Sequence, residues 1–402
     1  MHHPLRSAKP LLILWGVGTG VGSAASIAIW TFDLDGVVRQ LENLLYLFAL
    51  PGWVPLYVLG LSGIRDHPLG IIAANGIGWG FWCVVILIVL KMHARAVTAR
   101  PVQDEQPANP SRRAFMAHGV LGVGAVGAVA SPTYATLVEP WAIKVRRYSL
   151  PIRDLPEAFE GLRLVQFSDS HLGPRIPASF IEHAVEQVVA LRPDVLLLTG
   201  DYVHDGTGEI DQAAALCKPM IEAARFGAVG VLGNHDWWGD GPRMSKALAA
   251  QGVMMIDNDR MWLDPETRTL TASPGPGALA FVGLGDLIED GIDTRRGFSQ
   301  VDGATPRIVL AHHPDTAELP VLTDPGSPRV DLMFSGHTHG GQVRIPFVGT
   351  PMVPSRFGSK YAGGLVQGPA FPVVVSRGIG MSLLPVRFGV PPEIVEVTLT
   401  RA

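Results

Sequence analysis

The chain has 402 residues, a formal net charge of −4, 47 % hydrophobic residues and only 17 % charged ones. That length exceeds one ordinary domain, and the near-neutral charge excludes the broadly basic surface that a nucleic-acid binder needs. Two cysteines, Cys83 and Cys217, exclude a disulfide framework and a thiolate metal site.

The apolar excess lies at the N-terminus. Leu11–Trp30, Leu41–Leu61 and Leu69–Leu90 each reach the ~20 helical residues that a bilayer core takes. Trp15, Trp30, Trp53, Trp79 and Trp82 fall within them, several near the ends, where an amphipathic ring favours the interface. Pro51 and Pro55 kink the second run or fold it back. Residues 1–97 are therefore expected to form a multispan transmembrane region of about three helices. A proline-rich polar stretch, 98–113, reads as a flexible linker. The apolar Gly/Ala-rich segment 114–135 follows Arg112 and Arg113. It fits either a bacterial twin-arginine export signal, with Ala128-Val129-Ala130 as cleavage pattern, or a fourth transmembrane helix. With the linker inside, Arg39, Lys91, Arg95, Arg100, Arg112 and Arg113 are cytoplasmic, against Arg6, Lys9 and Arg65 outside. That bias puts residues 140–402 on the extracytoplasmic side of a bacterial cell membrane, although Lys144, Arg146 and Arg147 oppose it.

From Gly161 short apolar strands alternate with amphipathic helices. Leu162–Phe167, Asp194–Leu198 and Ala228–Leu232 read as strands, and Phe180–Leu191 and Ala214–Ala224 as helices. Beyond them Leu279–Leu284, Arg307–Ala311, Val330–Phe334, Gln342–Ile345, Val373–Ser376 and Ile394–Leu399 read as extended. The pattern predicts a sheet sandwich with helices outside and a more antiparallel second half.

Five polar clusters each follow an apolar strand: Asp169-Ser-His171, Gly200-Asp201, Gly233-Asn234-His235-Asp236, His312-His313 and Gly336-His337-Thr-His339. Strand ends of βαβ units converge on one crevice. Carboxylates, an amide and imidazoles crowded there would leave buried polar groups unpaired, and divalent cations remove that cost. The donor types suit zinc, iron, manganese or similar ions.

This ordered set resembles the calcineurin-like metallophosphoesterases. The Gly336–Gln342 stretch with Arg344 and Pro346, together with Tyr361, Gly363 and Ser376-Arg377-Gly378, is similar to the membrane-associated bacterial subgroup. The resemblance implies a four-layer α/β/β/α sandwich around a di-metal centre. It implies that Asp169, His171 and His339 hold one divalent metal ion, that Asn234, His312 and His337 hold the second, and that Asp201 bridges them. The first of the two adjacent histidines, His312, is favoured over His313. His235 would be the catalytic group that faces the leaving oxygen, while water activated by the cations attacks phosphorus. The position that in related protein phosphatases carries an aspartate orienting this histidine is His204 here, so its partner is open between Asp205 and Asp236. Arg344 and Arg377 read either as substrate-phosphate contacts or as structural surface arginines.

The expected function is thus a phosphodiesterase or pyrophosphatase acting near a membrane on a phosphoester, lipid-linked among the options. Membrane lipid is a further partner, and neither nucleic acid nor a protein partner is implied. The alternatives are a phosphomonoesterase with a soluble extracytoplasmic substrate and a metal-stabilised membrane binding or sensory module.

Overall fold

A computed structural model of the chain describes residues 131, 133–382 and 384–402. The expected membrane region (1–97), the linker (98–113) and most of segment 114–135 lie outside the described residues. Among the described residues no helix is long and apolar enough to cross a membrane.

Residues Val138–Ala402 form one unit built on two sheets. The first has the order β1 (Lys144–Ile152), β13 (Glu393–Arg401), β2 (Arg163–Phe167), β3 (Val195–Thr199), β4 (Ala228–Val231), β5 (Val253–Met255). The second has the order β11 (Gly364–Gln367), β12 (Pro372–Val375), β10 (Leu332–Ser335), β9 (Arg307–Leu310), β8 (Leu279–Gly283), β6 (Arg260–Leu263), β7 (Leu270–Thr271).

Strands β2 to β5 are mutually parallel, and β13, with β1 parallel to it, runs antiparallel to β2. The all-apolar Val-Leu-Leu-Leu of β3 is buried throughout, which suits a parallel strand covered on both faces. Helices α1 (Ala178–Leu191) and α2 (Ile210–Ala223) provide one cover. Phe180, Ile181, Ala184, Val185 and Val188 recur at helical spacing and pack with Val165, Phe167, Leu196 and Leu198. The opposite faces of these strands, with Leu164, Val195, Leu197 and Val229, meet Phe281, Ile308, Leu310 and Phe334 of the second sheet. Each such side chain contributes about 1.5–3 kcal/mol over an exposed one, so the two sheets are clamped face to face.

The expected four-layer sandwich is met unevenly. The outer face of the second sheet, with Val309, Met333, Val373 and Val375, is covered by short helical turns at Pro314–Glu318, Pro320–Thr323 and Gly358–Tyr361, not by long helices. Pro314 and Pro320 open two of these turns, and Gly326 soon follows. The second sheet also departs from the antiparallel expectation. Its interior, β8-β9-β10-β12, is parallel, and only β11, β6 and β7 at the edges are antiparallel. Gln342–Ile345, expected as a strand, makes only isolated bridges, Val343 with Phe388 and Ile345 with Gly349.

Candidate metal centre

Every predicted site residue stands just past a strand. Asp169 and His171 follow β2, and Asp201 follows β3. Asn234 and His235 open helix α3 (Asn234–Ala250) after β4. His312 follows β9, and His337 and His339 follow β10. Asp169, His171, Asp201, His337 and His339 all have positive φ, between 47° and 68°. Side chains other than glycine seldom adopt that region, and such strain clusters at functional sites. Asp169 and His171 reach one cluster, while His339 joins them and His337 joins His312 and His313.

Three groups of possible metal ligands result among the described residues, the third being His171, His204 and His235. Asp169, His171, Asp201 and His339 each offer one ligand-type atom within 4.8 Å of the others, and His312, His313 and His337 do likewise. In the first, His171 Nε2 and His339 Nε2 stand 2.8 Å apart, and His339 Nε2 lies 3.5 Å from Asp169 Oδ1. Asp201 joins the two: its Oδ2 is 3.5 Å from His171 Nε2 and 3.2 Å from His312 Nε2. The close approach depends on glycine. A Cβ on Gly233 would lie 2.7 Å from His312 Cε1 and closer still to Asp201 Oδ1, so no larger residue fits between Asp201, His312 and Asn234.

The adjacent histidines separate in role. His312 Nδ1 bonds the Thr199 carbonyl oxygen at 2.7 Å, which fixes a tautomer with Nε2 turned to Asp201. His313 stays beside it, with its Nε2 3.0 Å from Asp286 Oδ2 and its ring centroid 3.7 Å from that of His337.

Burial decides the charges. Burial, then neighbouring imidazoles, hold His171 and His337 well below the usual histidine range, and Arg387 adds to this at His339. Burial also raises Asp169 to about 7, helped by Asp201. For the pair Asp201 and His312, burial works against both charges, yet their mutual attraction prevails. It lowers Asp201 well below the carboxylate range and raises His312 to about 10.

The donors fit divalent cations. Asp169 Oδ2 and Asn234 Oδ1 are buried without a hydrogen-bond partner, and each such group costs about 1–3 kcal/mol. Imidazole nitrogens held neutral beside carboxylate and amide oxygens are the donors that zinc, iron and manganese take.

The partner of His235, open in the sequence, is a backbone group, and Asp236 has another task. His235 Nδ1 bonds the carbonyl oxygen of His204, so a backbone group, not Asp205 or Asp236, orients the ring. Its Nε2 is 3.3 Å from Ser382 Oγ. Asp236 is instead a hub. Its Oδ2 accepts from Asp201 N at 2.8 Å and Gly233 N at 2.9 Å, and its Oδ1 accepts from Tyr202 N at 2.9 Å and Val203 N at 3.4 Å. Asp201 Oδ1 in turn accepts from His235 N at the start of α3, where a helix N-terminus favours an anion. Asp205 is exposed.

Fold and centre together define a class: a two-sheet α/β protein with His/Asp clusters able to hold metal ions where the strand ends meet. Residues 162–341 match the family model described as calcineurin-like phosphoesterase. The chain is 32 % identical over 292 residues to the uncharacterized metallophosphoesterase YkuE of Bacillus subtilis, covering 72 % of this chain and 97 % of that protein. It therefore belongs to the calcineurin-like metallophosphoesterase family and is a phosphoester hydrolase. It is 30 % identical over 241 residues to phosphodiesterase YaeI of Escherichia coli (59 % of this chain, 82 % of YaeI). It is 28 % identical over 314 residues to the UDP-2,3-diacylglucosamine pyrophosphatase LpxG of Chlamydia trachomatis (65 % and 90 %).

Proposed function

We propose that the chain is a di-metal phosphodiesterase or pyrophosphatase that acts on a phosphoester held at a membrane, lipid-linked substrates included. The observation that carries this reading is Asp201 Oδ2 standing between His171 and His312, 3.5 and 3.2 Å away, with unpartnered oxygens of Asp169 and Asn234 also buried at the site. The names of YaeI, a phosphodiesterase, and LpxG, a pyrophosphatase with a diacylated substrate, support the diester or pyrophosphate class. The bilayer-length runs in residues 1–97 support a membrane anchor, and the basic-residue bias supports an extracytoplasmic hydrolase unit.

In this reading Asp169, His171 and His339 hold one cation, Asn234, His312 and His337 the other, and Asp201 both. Divalent cations there would supply the positive charge that offsets charge growing on phosphoryl oxygens, and the acidity that makes water a nucleophile at neutral pH. The protein's own groups do the rest. Thr199 keeps His312 Nε2 inward. Asp236 holds the Asp201 turn in place through the backbone N–H groups of Asp201, Tyr202 and Val203. The His204 carbonyl fixes the proton of His235 on Nδ1. A second proton on Nε2 is then the one the ring can donate to the departing oxygen, a role worth ~10²–10⁴ in rate.

The test is turnover of the full chain in detergent, loaded with manganese, zinc or iron, on bis-p-nitrophenyl phosphate, p-nitrophenyl phosphate and a nucleoside-diphosphate lipid. The reading expects diester or pyrophosphate cleavage to exceed monoester cleavage. A preference for the monoester would overturn it.

A further inference from the structure

Beyond the metal ligand His339 the chain runs into a closed turn at 344–350. Ile345 N donates to Gly349 O at 2.8 Å and Gly349 N donates back to Ile345 O at 2.9 Å, while Arg344 N bonds Phe388 O at the base. At the tip Phe347 is 109 % exposed and Val348 73 % exposed. Phe347 also has φ +66°, a region that a bulky aromatic residue seldom adopts. A hydrogen-bonded turn thus holds a phenyl ring fully in water, at a backbone cost, which is the kind of outlier from which function is argued. Ile345 and Phe357 add further exposed apolar surface nearby in the chain.

At the foot of this turn lies a cavity of about 350 Å³ lined by Arg344, Gly349, Thr350, Ser359, Gly363 and Arg377. Arg377 Nη1 is 3.3 Å from Glu393 Oε2. Arg344 is exposed and has no carboxylate partner among the described residues, and Arg356 further along is alike. Two guanidinium groups, two hydroxyls and small glycine walls suit a phosphate group. An apolar tip above a basic base is the arrangement with which a protein enters the headgroup–acyl boundary of an anionic bilayer. A folded protein partner fits less well, since four exposed apolar side chains fall far short of the ~800 Å² per partner of a stable interface.

We propose that the 344–350 turn is a phospholipid-docking element: Phe347 and Val348 enter the bilayer interface, and a lipid headgroup phosphate sits between Arg344 and Arg377. The docking does not depend on which phosphoester is cleaved.

The experiment uses the full chain reconstituted in vesicles, with Cys83 and Cys217 replaced by serine and an environment-sensitive fluorophore on Phe347→Cys. Glu266→Cys, in the β6–β7 turn at the opposite edge of the same sheet, is the control. Quenching by spin-labelled lipid is compared in phosphatidylcholine vesicles and in vesicles also containing phosphatidylglycerol. The Phe347→Cys label should be quenched at least about two-fold more than the control, and most in anionic vesicles. Adding Arg344→Ala should reduce the anionic enhancement about five-fold, the loss of one basic contact near a charged surface. Phe347→Asp should leave turnover of soluble bis-p-nitrophenyl phosphate in detergent unchanged, which shows that the fold survives. Quenching no greater than at Glu266→Cys would overturn the proposal. So would a label shielded from water but not quenched by lipid, which would assign the turn to a protein partner.

Discussion

Asp236→Asn tests how the bridging turn is built. The native carboxyl group is fully buried and accepts backbone N–H bonds on both oxygens, from Asp201 and Gly233 on one and Tyr202 and Val203 on the other. An amide retains one oxygen, so one or two of these N–H groups then face an NH2 donor. Each hydrogen bond to a charged acceptor is worth about 1.5–3 kcal/mol, and a buried donor left unsatisfied costs as much as its desolvation. Burial first and repulsion from Asp201 second raise Asp236 to about 8, and relief of both in the neutral amide offsets part of this. The net loss is about 3 kcal/mol. At about 2–4 °C per kcal/mol for a unit of this size, the melting temperature falls by roughly 6–12 °C. Differential scanning calorimetry of the full chain at fixed metal concentration reads this directly, and metal analysis of the same samples should show weakened binding. A variant that melts within about 2 °C of wild type and keeps its full metal content would refute the assignment of Asp236 as the hub of the Asp201 turn.

His235→Ala should keep its metal and lose ~10²–10⁴ in turnover, measured by metal analysis and steady-state kinetics on one preparation; loss of metal in step with activity would contradict the role given to the ring. Cation binding should also release protons. In protein stripped of metal, His312 is raised to about 10 and Asp169 to about 7, so both carry protons at or below neutral pH that a cation must displace. Affinity should therefore rise with pH from 6 to 8, with roughly one to two protons released near pH 7 by calorimetry in buffers of different ionisation enthalpy. Binding that releases none would contradict the charge assignment. Because His171, His337 and His339 are held well below 6.5, they should add little to that release.

Much of the first sheet was legible because its strands are buried on both faces. Leu162–Phe167 and Ala228–Leu232 match β2 and β4 to within a residue. Burial on two sides leaves an uninterrupted apolar run that polar loops bound sharply. Strand β1 escaped notice for the opposite reason. It lies at the sheet edge, and its Lys-Val-Arg-Arg-Tyr-Ser sequence is largely exposed, so no apolar alternation marks it. Helix α3 was hidden by Gly239, Gly241 and Pro242, where the helix kinks at Asp240 and packing overrides propensity. The centre was legible as residue types at strand ends. Its orienting groups were not, since the carbonyls of Thr199 and His204 belong to the backbone and leave no trace in side-chain identity. Asp236 was visible, but only its four N–H donors distinguish a hub from a partner of His235.

The most direct measurement is anomalous diffraction from crystals of the full chain grown with manganese or zinc, alongside metal analysis of wild type and Asp201→Ala. The account predicts two cations ~3.5–4 Å apart, one against Asp169, His171 and His339, the other against Asn234, His312 and His337, with Asp201 touching both and metal lost from Asp201→Ala. Cations bound elsewhere, or an Asp201→Ala protein that holds the wild-type complement, would contradict it.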